Sequence, residues 1–354
     1  MSKALIAMSG GVDSSVAAYL MKEKGYECIG CTMKLYSSED TGETSKKTCC
    51  TADDAYDARG VANRLGMPFY VFNFTDLFRE KVIGKFASCY ECGITPNPCM
   101  DCNRYLKFEK LRERADILGC DCVATGHYAV IEDTSDGYIL KKAADPAKDQ
   151  SYFLYMLTQD QLAHTAFPLG GMHKDVTRAV AAKLGFKNAD KPDSQDICFA
   201  PDGDYVSAIK RFTRKSYPPG DIKDTKGNVL GHHNGIIGCT IGQRKGLGIS
   251  SDRPLYVLDI RPDTNEVILG DNEELFSTVV NVSEVNRIVP YHTGDKVRCR
   301  AKIRYRHKEQ DAFVEFLENE RARLVFDEPQ RAVTKGQVAV FYDDDIVIGG
   351  GIIC

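Results

Sequence analysis

A chain of 354 residues with 43% hydrophobic content is long enough for two or three domains with a sizeable core. It holds no run of about 18 apolar residues that would span a bilayer, and Met1-Ser2-Lys3-Ala4-Leu5-Ile6-Ala7 turns polar too soon for a secretion signal, so a cytoplasmic enzyme is expected. A net charge of −4 confines nucleic-acid contact to local basic patches, and fourteen cysteines in a reducing compartment point to metal ligands, redox thiols or buried small side chains rather than structural disulfides.

Ala4 to Met8 is a short apolar run that ends in Ser-Gly-Gly, a strand entering a turn. Val16, Ala17, Leu20 and Met21 recur at helical spacing, with Gly25 as the stop. Glu27 to Met33 reads as a second strand. Ala58, Val61, Ala62 and Leu65 mark a helix closed by Gly66 and Pro68, and Phe69 to Phe74 reads as a third strand. Phe108, Leu111, Ala115 and Leu118 line another helix, and Cys122 to Thr125 is a further short strand. Strands alternating with helices predict a parallel α/β sheet over about residues 1–130, continuing with helices to about 200. Near Gly203 the character changes. Pro218-Pro219-Gly220 is a breaker cluster, followed by short runs at Leu255 to Ile260, Glu266 to Leu269 and Lys296 to Arg306. The last ~75 residues read as all-β, a small barrel. Three domains follow: 1–202, a central domain over 203–275, and a barrel over 276–354.

The densest chemical signal is Ser9-Gly10-Gly11-Val12-Asp13-Ser14-Ser15, between the first strand and the first helix. Glycines let backbone N–H groups approach an anion, and a helix N-terminus adds free donors and a favourable dipole. Ser14 and Ser15 can donate hydroxyl bonds to phosphate, while Asp13 would hold Mg²⁺ or fix the loop. The bland alternative is a tight turn with Ser and Asp as helix caps. The ending Gly-Lys-Ser/Thr of a Walker loop is missing. The loop resembles the pyrophosphate (PP) loop of the N-type ATP pyrophosphatases, which adenylate a carbonyl oxygen. That group includes GMP synthetase, argininosuccinate synthetase and several tRNA-modifying enzymes.

Further segments narrow the group. They are Gly93-Ile94-Thr95-Pro96-Asn97-Pro98-Cys99-Met100-Asp101-Cys102-Asn103, Ser194-Gln195-Asp196-Ile197-Cys198-Phe199, Thr125-Gly126-His127-Tyr128, Lys148-Asp149-Gln150-Ser151-Tyr152 and Thr240-Ile241-Gly242-Gln243-Arg244-Lys245-Gly246-Leu247-Gly248. Together they resemble the bacterial tRNA-specific 2-thiouridylases over nearly the whole chain. The resemblance implies an α/β PP-loop ATP pyrophosphatase domain, then a small central tRNA-binding domain and a C-terminal all-β barrel. It implies a sulfurtransferase that adenylates the C2 oxygen of an anticodon wobble uridine and replaces it with sulfur, releasing AMP and pyrophosphate. Cys198 would carry a persulfide and Cys102 would be the partner nucleophile. Ala7, Met8, Ser9, Gly10, Gly11, Val12, Asp13, Ser14, Met33 and Gly126 would hold ATP. Asn97, Pro98 and Cys99 would meet the target base, and Lys148, Asp149, Gln150, Arg304 and Tyr305 the tRNA. The implied partners are tRNAs of the lysine, glutamate and glutamine types and a sulfur donor such as a cysteine desulfurase or a relay protein. Many members carry Asp where Cys99 stands; Asp101 lies two residues on.

Cys89-x-x-Cys92 and Cys99-x-x-Cys102 also have metal-site spacing. Zinc on these four sulfurs would silence Cys102. An iron–sulfur cluster on Cys99, Cys102 and Cys198 would leave one iron open to sulfide. The third reading is spare thiols. Cys28, Cys31, Cys120, Cys122, Cys239, Cys299 and Cys354 read as buried small side chains, and Cys49-Cys50 as packing at a helix start. Arg298, Arg300, Lys302, Arg304 and Arg306 alternate with Val297, Cys299, Ala301, Ile303 and Tyr305, which on one strand would put five cations on one face as a track for phosphates. The alternative is a solvated face of mixed sign. Lys210, Arg211, Arg214 and Lys215 form a second basic cluster. Competing functions are another ATP pyrophosphatase, such as a 4-thiouridine or lysidine synthase, and a non-catalytic RNA- or metal-binding protein.

Overall fold

The computed structural model describes residues 1–36, 52–192, 197–200 and 203–354. They divide into two compact units. One comprises Met1–Val82, Cys99–Asp204 and Asp345–Val347; the other comprises Ile83–Pro98, Tyr205–Asp344 and Ile348–Cys354. Cys49-Cys50 and Ser194 to Asp196 lie outside the described residues.

The first unit is built on a sheet of β1 (Lys3–Ala7), β2 (Glu27–Lys34), β3 (Phe69–Asn73), β4 (Cys122–Ala124) and β7 (Thr165–Ala166), in the order β3-β2-β1-β4-β7 with every pair parallel. Ala4, Leu5 and Ile6 are fully buried, the continuous apolar run of a parallel strand covered on both faces. Helix α1 (Val12–Glu23) buries Val12, Val16, Ala17 and Met21, and Gly25 ends it with φ +85°. Helices α2 (Ala52–Arg64), α3 (Leu111–Ile117) and α4 (Lys174–Lys183) complete the frame. Pro98–Asp101 is a short helical turn, and Cys102–Lys110 continues it with the wider i→i+5 winding. The stretch expected to continue with helices to about 200 also holds a hairpin, β5 (Val130–Thr134) and β6 (Gly137–Lys141). Its turn is Ser135-Asp136, followed by Gly137 at φ +115°, so the Asp-Gly pair was the local signal.

Chain order runs outward from β1 through β2 to β3, then returns to the other side of β1 at β4. Such a reversal leaves a crevice at the carboxyl ends of the two central strands, where ligands of open α/β sheets bind. Ser9 to Gly11 leaves β1 at that point, and Thr125 to Tyr128 leaves β4.

In the second unit, β8 (Gly220–Asp224), β9 (Val229–His233), β10 (Tyr256–Arg261) and β11 (Glu266–Gly270) form a sheet in the order β10-β11-β8-β9, parallel only between β8 and β11. The segment Ile83–Pro98 groups here because Phe86 and Tyr90 pack on Tyr205 of helix α5 (Tyr205–Thr213), Tyr90 with a centroid distance of 4.7 Å. The expected barrel is present. β12 (Phe276–Arg287), β13 (Lys296–Lys302), β14 (Gln310–Leu317), β15 (Arg321–Arg331), β16 (Val338–Asp343) and β17 (Ile346–Ile353) follow the order β12-β15-β14-β13-β16-β17, and β12 pairs with β17 to close it. Alternate residues such as Cys299, Ala301, Val314, Phe316, Leu324 and Phe341 fill its core.

Candidate nucleotide and thiol site

The loop after β1 is held from several sides. Met8 N–H donates to the Cys31 carbonyl at 2.7 Å, and the Thr32 hydroxyl donates to the Met8 carbonyl at 2.6 Å. These bonds fix where Ala7 and Met8 leave the sheet. Gly10 has φ +75°, and a Cβ there would lie 2.4 Å from the Asp54 carbonyl oxygen. Only glycine satisfies both the backbone conformation and that approach. Gly11 precedes α1 in extended conformation with no side-chain cap, so the first N–H groups of α1 are not taken by a capping side chain. The Ser14 hydroxyl accepts from Ser9 N–H at 3.1 Å. Both hydroxyls expected to face phosphate, Ser14 and Ser15, donate back to the Gly11 carbonyl, at 3.1 and 2.9 Å. Ser9 is the exposed serine of the loop.

Asp13 is clamped. Lys174 Nζ lies 2.7 Å from each carboxylate oxygen, and the Tyr128 hydroxyl donates to Oδ1 at 2.9 Å. Tyr128 also lies 3.0 Å from the Thr177 hydroxyl. Of the two roles expected for Asp13, fixing the loop fits this geometry. Gly126 packs directly on the loop, since a Cβ there would lie 2.7 Å from Ser14 N. Met33 is buried at the end of β2. Thus the expected ATP residues converge on the sheet's reversal point.

His127 is buried beside them. Its Nδ1 lies 2.6 Å from Thr125 Oγ1 and its Nε2 3.4 Å from Lys107 Nζ. The ammonium can only donate, so Nε2 accepts and Nδ1 carries the proton. Burial, reinforced by Lys107, holds the imidazole well below its usual range, so it is neutral. The segment expected to meet tRNA partly turns inward. Asp149 is buried and accepts from the N–H groups of Ala143 and Ser151 and from the Ser151 hydroxyl, at 3.0, 3.2 and 2.9 Å. Gln150 accepts from Tyr128 N–H at 2.9 Å. Gln150 thus holds the Tyr128 turn and Asp149 ties Ala143 to Ser151, while Lys148 is half-buried.

Cys102 and Cys198 both belong to the first unit and are half-buried thiols. Phe199, beside Cys198, is buried against Phe78 with a T-shaped ring contact at 6.0 Å. Cys99 is exposed whereas Asp101 is buried, so Asp101 does not replace the family carboxylate at the exposed position. Asn97 is half-buried and Pro98 buried. Among the described residues, no three His, Cys, Asp or Glu side chains are gathered as a metal site, so neither the zinc nor the iron–sulfur reading gains support. Cys28, Cys31, Cys120, Cys122, Cys239 and Cys299 are buried as expected; Cys354 is exposed instead. Burial pushes the Cys122 and Cys239 thiols up to about 11 and Cys299 to about 12.

The expected track of five cations is not formed as one strand face. β13 ends at Lys302, so Arg304 and Arg306 lie beyond it. Arg298 is held by Asp327 at 2.8 and 2.6 Å, and Arg300 lies 3.8 Å from Asp311. The signs on this face are mixed. Arg304 donates to the Ala332 carbonyl and to the Thr334 hydroxyl, the latter at 2.8 Å, and Tyr305 is half-buried. In the second basic cluster, Lys215 pairs with Glu91 at 2.9 Å.

Three residues escaped sequence reasoning: Lys174, Asn188 and Lys191. Asn188 Nδ2 donates to the Gly10 carbonyl and to Ser15 Oγ, both at 2.9 Å. Lys191 bridges Asp54 and Asp57. Each lies more than 150 residues from the loop it supports, and no local pattern marks it.

The family described as tRNA methyl transferase HUP domain matches residues 2–202, the PRC-barrel domain of the same group 207–271, and the aminomethyltransferase beta-barrel domain 277–353. The tRNA-specific 2-thiouridylase MnmA of Clostridioides difficile (strain 630) is 50% identical over 353 residues, covering 99% of this chain and 98% of the relative. That of Acetivibrio thermocellus is 50% identical over 356 residues, covering 99% of each chain. MnmA 2 of Caldanaerobacter subterraneus subsp. tengcongensis is 51% identical over 356 residues, covering 99% of this chain and 98% of the relative. The chain belongs to the tRNA-specific 2-thiouridylase family.

Proposed function

We propose that this protein is a tRNA-uridine 2-sulfurtransferase acting in the cytoplasm on the wobble uridine of lysine, glutamate and glutamine tRNAs. One observation carries the reading: the phosphate-type loop lies at the sheet's reversal point, in the same compact unit as the two motif cysteines, Cys102 and Cys198. The loop N–H groups and the α1 terminus receive the phosphates of ATP. The uridine C2 oxygen attacks the α-phosphorus and pyrophosphate leaves, which turns that oxygen into a leaving group. Cys198 carries the sulfur as a persulfide. The Cys102 thiolate attacks the Cys198 sulfur, forming a Cys102–Cys198 disulfide and releasing hydrosulfide. Hydrosulfide adds at C2, AMP departs, and an external thiol reduces the disulfide. Asn97, Pro98 and Cys99 meet the splayed base, and Lys148, Arg304 and Tyr305 meet the tRNA.

The test supplies ATP, an unmodified tRNA transcript and a persulfide donor, and follows pyrophosphate release together with thiolated tRNA on a mercury gel. The expected result is coupled appearance of both, with persulfide-fed thiolation abolished in Cys198→Ser. ATP turnover without sulfur in the tRNA overturns the reading.

A further inference from the structure

The ATP loop is braced from behind by a segment that nothing in its motifs announces. Asn188 is 4% exposed. Its Nδ2 donates at 2.9 Å both to the Gly10 carbonyl and to Ser15 Oγ. Ser15 has already given its hydroxyl proton to the Gly11 carbonyl at 2.9 Å, so both partners of Asn188 are acceptors. This fixes which way the amide faces. Its Oδ1 has no hydrogen-bond partner among the described residues. A buried acceptor left without a partner is uncommon and calls for a reason. The reason here is that the donor end of the amide is what the site uses.

Lys191 adds a second hold. Its Nζ lies 2.6 Å from Asp54 and 3.0 Å from Asp57 of α2, and 3.5 Å from the same Gly10 carbonyl. Burial opposes its charge, but the bonds to Asp54 and Asp57 outweigh burial and keep the ammonium above its usual range. Gly10 is thereby enclosed, with the Asp54 backbone where a Cβ would be and two donors on its carbonyl. In a planar trans peptide the carbonyl of one residue and the N–H of the next point in opposite directions. Holding the Gly10 oxygen against Asn188 and Lys191 directs the Gly11 N–H away from them.

We propose that Asn188 and Lys191 are positioning residues of the ATP loop: by holding the Gly10 carbonyl back, they present the Gly11 N–H to a phosphate of ATP. This rests on the reading that the loop receives ATP. Neither side chain takes part in the chemistry; each acts through the Gly10–Gly11 peptide.

The test uses full-length Asn188→Asp, Lys191→Met and Lys191→Arg proteins. Asn188→Asp keeps the side-chain size but puts an acceptor against two acceptors. The readouts are the Kd of α,β-methylene-ATP by calorimetry, KM for ATP and for tRNA in pyrophosphate release, and the melting temperature. Asn188→Asp is expected to raise Kd and KM for ATP by about tenfold, and Lys191→Met by about threefold, with KM for tRNA unchanged. Lys191→Arg should restore wild-type Kd within twofold. A merely structural role would lower the melting temperature without moving the Kd of the folded protein. A folded Asn188→Asp protein with wild-type Kd overturns the proposal; if that variant does not fold, Lys191→Met with wild-type Kd does so. Wild-type protein that binds no analogue overturns the ATP reading and this proposal together, whereas wild-type binding with unaffected variants overturns this one alone.

Discussion

Two regions of the chain carry an anion-binding pattern in sequence, and the structure treats them differently. In the loop after β1 the donors expected to meet an anion are backbone N–H groups, while Asp13 and Lys174 are spent on each other and Lys191 on Asp54 and Asp57. On β13 the donors are arginine side chains, and two of them are met by carboxylates, Arg300 by Asp311 of the adjacent β14 and Arg298 by Asp327 of β15, one strand further. Backbone donors are marked by local sequence, glycines and a helix start, even where distant side chains such as Asn188 hold them in place. A side-chain cation on a strand is available or engaged according to its cross-strand neighbours, which come from elsewhere in the sequence.

The loop side of this contrast breaks most sharply at Gly10. Gly10→Ala must accommodate a left-handed backbone and a Cβ at 2.4 Å from Asp54 O. We expect kcat/KM for ATP-dependent thiolation to fall about 100-fold or more. Near wild-type kinetics would show that the loop is not the phosphate cradle. Lys174→Met comes next. It strips Asp13 of its ammonium, and steady-state kinetics should show about a tenfold loss of kcat/KM. Lys174→Arg should recover most of that loss if charge at this place is what matters.

The same contrast explains what could be read from sequence. The parallel sheet was legible because Ala4–Ile6 is an unbroken apolar run and strands alternate with helices after it, and the barrel because its strands alternate. The converging glycines, Gly10, Gly11 and Gly126, sat inside recognisable motifs. Lys174 and Asn188 were not legible because their meaning lies in partners 161 and 178 positions away. The burial of Asp149 was not legible because a carboxylate satisfied by backbone N–H groups looks, in sequence, like an exposed one. The end of β13 at Lys302 was hidden because alternation continues past the strand through Ile303 and Tyr305.

A smaller effect sharpens the strand side. Asp327→Asn releases Arg298 from its bidentate pair. The pair is exposed and contributes little to stability, so melting should be almost unchanged. If RNA runs across this face, tRNA affinity at low salt should rise about threefold and the slope of log K against log salt should steepen by about one unit. An unchanged slope would place the RNA elsewhere and leave β13 as an ordinary solvated strand.

The smallest effect concerns His127, the neutral imidazole beside the loop. Its folded-state pKa lies well below the unfolded value of about 6.5, first through burial and then through Lys107. Above that value neither state binds the proton, so stability is indifferent to this group. Below it the unfolded chain takes a proton that the folded chain refuses, so stability falls as pH drops, by at most about 1.4 kcal/mol per pH unit. His307 is also lowered, by burial and then by Arg304, and acts in the same direction. The difference between wild type and His127→Gln isolates His127. Urea unfolding at pH 7.5, 6.0 and 5.5 should show the wild type losing stability faster than the variant on acidification. Parallel losses would mean that the imidazole takes up its proton in the folded state, in which case Nε2 could not accept from Lys107 and the Thr125–His127–Lys107 arrangement beside Gly126 would have to be redrawn.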